Sequence, residues 1–181
     1  DNIVPLGNAD VADESLMGIL DVVADNLTTD ELIQLNKAVD IDRMTSAEVA
    51  EEWVSGLEVA FTQVVNETPV VVGAANFSEN ITLAEIYADL LGMAGYTDVT
   101  VREIGNRETY LPALESGEIS VVPEYAATVT EFLNPTIHGA AAPPVASGAL
   151  AAPIAAQTRD GVAGMARSLL PMALVIALIT A

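Results

Sequence analysis

An α/β fold, a three-layer sandwich with a mainly parallel sheet, is predicted by three features of the 181-residue chain. From residue 70 onward, strand and helix patterns alternate three times, and strands separated by helices run parallel. Val70–Gly73 is continuously apolar rather than alternating, which suits a strand covered on both faces. Apolar residues make up 51% of the chain, enough to build a sizeable core in one domain or two small ones.

The elements follow in order. Residues 2–6, "NIVPL", are a short apolar run readable as a strand, and Pro5 pushes it to an edge or an end because it cannot donate to a ladder. Leu16, Ile19, Leu20 and Val23 have the i, i+3, i+4, i+7 spacing of a one-faced helix. "TTDELIQLNKAV" starts with Thr28 and has Glu31 three residues on, a capping-box pattern, and "TSAEVAEEWVSGL" repeats it with Thr45 and Glu48. Val49, Trp53 and Leu57 share a helical face, so Trp53 is expected to anchor the core, with Gly56 near the helix end. Residues 58–68 read as a connector. After the strand at 70–73, Asn76 or Ser78 is expected to cap a helix over 79–94, and Gly95 to supply its left-handed stop. "DVTVREIG" alternates as a strand does. Asn106 can cap a short helix through Leu111 and Leu114 that stops at Gly117, and "ISVVPEY" is a further strand running into a helix at 125–133.

Charge excludes whole classes of partner. Six Lys and Arg against 26 Asp and Glu give a formal charge of −20, which leaves no basic surface for nucleic acid and disfavours docking on an anionic membrane face. Residues 1–134 carry 25 of the acids and four of the bases, whereas 135–181 hold only Arg159, Asp160 and Arg167. A boundary near residue 134 follows. Beyond it, "HGAAAPPVASGALAAPIAA" reads as linker or loosely packed coil. The final "SLLPMALVIALITA" is an apolar run of fourteen residues, short of the roughly 20 a spanning helix needs. It reads as the cut-off start of a membrane helix, a buried element, or sequence without a natural role. The absence of cysteine removes disulfides, thiolate metal sites and thiol nucleophiles. The chain starts at Asp1 with no visible signal peptide, as expected where processing or truncation has removed a start.

Two stretches resemble one family, the substrate-binding proteins of ABC importers for glycine betaine, choline and related quaternary amines. "VVVGAANFSENITLAEIYADLLGMAGY" with "NRETYLPALESGEISVVPEYAATVTEFL" is similar to the head of such proteins. "NIVPLGNADVADESLMGILDVVADNLTTDELIQLNKAVDIDRMTSAEVAEEWV" is similar to their tail. Tail precedes head here, the order expected at a junction of tandem copies or in a permutant. The resemblance divides the chain into 1–57, the C-terminal segment of a solute-binding lobe, the connector 58–68, the N-terminal segment 69–134, and the tail 135–181. It implies one lobe of a periplasmic-binding-protein type II-like fold, with 1–57 and 69–133 packed together and no evident second lobe. It also implies delivery of an osmolyte to an ABC permease subunit outside the cytoplasm, in the periplasm or on the outer face of the cell membrane. Membrane association would then come only through the permease or a missing anchor.

A quaternary ammonium cannot donate hydrogen bonds, so a protein holds it against aromatic faces by cation–π attraction, worth about 2 kcal/mol when desolvated. The resemblance places Tyr125 in the wall of such a cage and Thr128 near the ligand's polar end. Asn76 and Phe77 lie where a strand ends and a helix begins, the usual place for ligands in α/β folds. The resemblance is incomplete. The loop has Ala75 where many members have Lys, and Ala126–Ala127 replaces a usual Thr–Gly. The alternative function is a non-transporting, single-lobe interaction module that docks on a protein or membrane partner.

No catalytic or cofactor pattern is present. His138 stands alone in the Ala/Pro-rich tail, and the paired acids Glu51–Glu52 and Asp40/Asp42 lack a histidine partner or calcium-loop spacing. No phosphate loop occurs. The chain is therefore expected to be a non-enzyme without metal or cofactor.

Overall fold

The structure is a computed structural model, and it describes residues 3–62, 65–129 and 131–132. The expectations for 135–181, including His138 and the apolar end, and for the last residue of the 125–133 helix lie outside them. Nine elements follow in chain order: β1 (Ile3–Gly7), α1 (Glu14–Asn26), α2 (Thr29–Asp40), α3 (Ser46–Ser55), β2 (Val70–Ala75), α4 (Ser78–Met93), β3 (Val99–Gly105), α5 (Arg107–Glu115) and β4 (Val121–Tyr125). Residues 126–129 and 131–132 are helical.

The strands form one sheet in the order β1-β4-β2-β3. β2 runs parallel to both β3 and β4, while β1 lies antiparallel at the edge beside β4, with Pro5 opposite Pro123. Pro5 is thus at an edge, where its missing N–H breaks no central ladder. β1 of the first segment completes the sheet of the second, and α3 packs on α4, so 3–57 and 70–129 share one core.

Side chains alternate across the sheet, which divides that core in two. Val70, Val72, Ala74 and Val121 face a layer built from α1, α2, α3 and α4. Leu6, Ala75 and Val122 face α5 and Val129 on the other side. Helices on both faces make the three-layer sandwich. α4 lies at its centre with Leu83, Ile86, Tyr87, Leu90 and Leu91 buried, and each fully buried Leu or Ile is worth about 2 kcal/mol of transfer free energy.

Local signals explain most helix ends. Both capping boxes form: Thr28 and Thr45 accept from the N–H groups of Glu31 and Glu48, whose carboxylates accept from the Thr28 and Thr45 N–H groups. Gly95 and Gly117 adopt positive φ, 104° and 75°, just beyond α4 and α5. Three expectations need correction. Neither Asn76 nor Ser78 caps α4: the N-cap position is Phe77, without a side-chain cap, and Ser78 is already helical. Asn106 occupies the N-cap position of α5, but its Oδ1 accepts the Thr109 hydroxyl at 2.9 Å instead of a backbone N–H. Trp53 is only half-buried, because α3 turns Val49, Ala50 and Val54 inward and leaves the indole on the flank of the cluster.

Candidate functional site

β2 and β4 are parallel neighbours, so their C-terminal ends lie side by side. The chain leaves β2 through α4 to β3 on one side, and returns from β3 through α5 to β4 on the other. This reversal of strand order is the topological switch point of an open α/β sheet, where a crevice opens between the outgoing connections. Phe77 follows the end of β2 and Tyr125 ends β4.

A buried amide stitches the two strand ends together. Asn80, in the first turn of α4, accepts the Ala75 N–H at 2.7 Å and donates to the Pro123 carbonyl at 2.9 Å. The side chain absent from the helix cap is therefore replaced by one that fixes strand spacing. On this frame the rings of Phe77 and Tyr125 stack with centroids 6.4 Å apart and planes at 23°. Phe77 is 44% exposed and Tyr125 is half-buried, so the pair presents an aromatic surface at the strand ends.

Polar contacts set the position of Tyr125 from two directions. Its hydroxyl donates to Glu79 of α4, whose other carboxylate oxygen accepts from the Asn36 amide of α2. Burial, followed by the hydrogen bond to Glu79, pushes the Tyr125 phenol well above its ordinary value, so it remains a neutral donor. Behind it, Glu124 is almost completely buried and accepts the Tyr125 N–H at 2.9 Å. Arg107 grips the same carboxylate with two bonds, Nε to Oε1 at 2.7 Å and Nη2 to Oε2 at 2.8 Å, and the Tyr110 hydroxyl donates to Oε1. Hydrogen bonding to Glu124 raises the Arg107 pKa further, and burial raises that of Tyr110, so Arg107 stays a cation and Tyr110 a neutral donor. The Arg107 guanidinium also lies 5.6 Å from the centre of the Phe132 ring, joining α5 to the segment after β4.

Of the four residues singled out from the sequence, Phe77 and Tyr125 meet directly. Asn76 is exposed beside them, its N–H donating to the Gly105 carbonyl at 3.3 Å, and Thr128 is exposed in the helical stretch after Tyr125. The sequence reading missed Glu79, Asn80, Arg107, Tyr110, Glu124 and Asn36. Glu124 had a visible signal: a carboxylate within an otherwise apolar strand must be paired. Asn36 had none, because 43 residues separate it from Glu79.

A separate open groove of about 450 Å³, lined in part by Asp13, Ile19, Phe61, Val65, Asn66 and Tyr96, lies at the opposite end of the parallel strands, since Asn66 and Tyr96 precede β2 and β3. Among the described residues there is no cluster of three or more His, Asp or Glu fit for a metal ion, and no helix is long and apolar enough to cross a membrane.

Comparison with protein families decides the assignment. The model of the substrate-binding domain of ABC-type glycine betaine transport systems matches residues 1–56 and 68–166. The chain belongs to that family. Searches of curated proteins and of solved structures returned no match. Members of this substrate-binding family are solute-binding proteins rather than enzymes, and a small-molecule ligand and an ABC permease are the partners that membership implies. Such proteins work outside the cytoplasm or anchored at the membrane. The four-stranded, helix-flanked sheet is consistent with a single lobe of a periplasmic-binding-protein-like fold.

Proposed function

We propose that this chain supplies one lobe of a binding protein for a quaternary-amine osmolyte, held by cation–π contact at the ends of β2 and β4. The stacked Phe77–Tyr125 pair carries the reading. It offers π-faces at the switch point of the sheet, and a trimethylammonium group asks for that chemistry and little else. Asn76 and Thr128 flank the pair and are assigned to the ligand's polar end. In the working protein a second lobe would add further walls and close on the ligand, delivering it to the permease. We read the first segment as a family tail and the second as a family head, on the resemblance alone, and hence the chain as a junction between tandem copies or a permuted lobe.

One aromatic pair makes an incomplete cage. The expected dissociation constant of the chain alone is millimolar, about 4 kcal/mol of binding free energy. Calorimetric titration with glycine betaine, choline, carnitine and proline betaine tests this, alongside Tyr125→Ala. Weak binding that disappears in the variant supports the reading. A folded chain silent to all four compounds refutes it and favours a lobe that docks on a partner without taking solute.

A further inference from the structure

Resting on that quaternary-amine reading, we infer that Glu79 selects the charge type of the ligand: the site takes a cation that bears no carboxylate, such as choline, in preference to a zwitterion such as glycine betaine.

Three observations converge on Glu79. Its carboxylate meets one member of the aromatic pair, accepting the hydroxyl of Tyr125, whose ring stacks on Phe77. A cation resting on those rings therefore meets a full negative charge as well as the ring quadrupoles. Next, that charge has no counter-ion among the described residues. Its oxygens are taken by two neutral donors, Tyr125 and Asn36, while Lys37 pairs with Asp42, Arg102 with Glu118 and Arg107 with Glu124, and the fourth described base, the exposed Arg43, forms no ion pair with it. The nearest ion pair, Arg107–Glu124, is neutral as a unit, so the aromatic pair and its surround keep the excess charge of Glu79. Third, Glu79 occupies the first turn of α4, whose N-cap position is Phe77 of the pair itself. A ligand carboxylate would look for such free N–H groups and their positive dipole end. Here a fixed carboxylate already matches that dipole and repels a second one. The adjoining Ala75 is a buried methyl and supplies no base.

The two ligands share the trimethylammonium head and differ at the other end, so their affinity ratio isolates the effect. ¹⁵N-labelled full chain is titrated with choline chloride and with glycine betaine at equal ionic strength, and shifts of the Phe77 and Tyr125 amides give both constants. Choline is expected to bind at least about tenfold more tightly, a difference of about 1.4 kcal/mol. Glu79→Gln keeps a side chain that can bond Tyr125 and Asn36 but removes the charge, and is expected to bring the ratio close to one. Glu79→Asp keeps the charge and is expected to keep the preference. Equal constants in the unmodified chain, or a ratio unchanged in Glu79→Gln, would overturn the charge assignment and leave the quaternary-amine reading intact. Absence of shifts at Phe77 and Tyr125 with either compound would remove that reading itself and this inference with it. Equal constants in the unmodified chain overturn the inference even where a variant fails to fold, and where Glu79→Gln fails to fold, a preference lost in Glu79→Ala but kept in Glu79→Asp supports it.

Discussion

Replacing Arg107 by glutamine removes one half of the ion pair behind Tyr125. Glu124 has a side chain only 1% exposed, whereas Arg107 keeps 20% of its side chain in contact with water. Removing one partner of a buried pair costs about 3–5 kcal/mol, because the remaining charge stays desolvated. The Tyr110 hydroxyl and the Tyr125 N–H still donate to Glu124, and the guanidinium is partly hydrated at the start, so the lower end, about 3 kcal/mol, is expected. Against the 5–15 kcal/mol or so that holds a typical domain together, that is a large share. With a urea dependence of about 2 kcal/mol per molar, the midpoint falls by about 1.5 M at constant slope. Urea unfolding followed by far-ultraviolet circular dichroism and by Trp53 fluorescence measures it. Adding Glu124→Gln to the Arg107→Gln variant removes the stranded charge and is expected to recover at least half of the loss. A single-variant loss below about 1 kcal/mol would mean that water screens the pair as it screens surface bridges. A double variant no more stable than the single one would show that packing, rather than charge, explains the loss.

Two further perturbations test the helical layer. Burial of Asp21 on α1, followed by repulsion from Asp25, raises its pKa from 3.8 to about 6, so the folded state holds this proton more tightly than the unfolded chain does. The stability it contributes is present below about pH 4 and is lost as pH rises through 6. Asp21→Asn should therefore raise stability near neutral pH, by about 1 kcal/mol given that half-exposed position, and do little below about pH 4. Thermal melts at the two pH values measure this, and an equal gain at both would disprove the electrostatic cause. Thr28→Ala and Thr45→Ala each remove a cap from α2 or α3 and should each cost about 1 kcal/mol in chemical denaturation. A Thr45→Ala chain as stable as the parent would mean that packing on α4 alone holds the start of α3.

Helix ends and the edge strand illustrate how local chemistry can be read without a fold. The capping boxes at Thr28 and Thr45 depend on partners three residues apart, and both form as the spacing indicates. Gly95 and Gly117 end their helices for an equally local reason, since a left-handed backbone costs glycine little. Pro5 marked an edge strand because a missing N–H is tolerable only there. The errors arise where the fold rather than the local pattern assigns a position. Neither Asn76 nor Ser78 caps α4, because Phe77 takes the N-cap position, and the polar side chain that works there is Asn80, bonded to the Ala75 N–H and to the carbonyl of Pro123 on a strand 43 residues away. Trp53 shares a helical stripe with Val49, yet the crossing of α3 over α4 decides which part of the stripe is covered.

The candidate site divides along the same line. Local sequence determined that Phe77 would follow a strand end and that Tyr125 would end another, because strand length and the strand-to-helix change are set by side-chain patterning over a few residues. Tertiary structure alone decided that these two ends would be neighbours, since the same local pattern allows β4 to pair beyond β3 instead of returning to the other side of β2, where it lies. It also decided that Glu79, 46 residues from Tyr125, would receive its hydroxyl, and that Arg107 would meet Glu124. A buried charge demands a partner by its desolvation cost, which the sequence declares, but the partner's identity depends on how the sheet is ordered, and only the folded chain specifies that order.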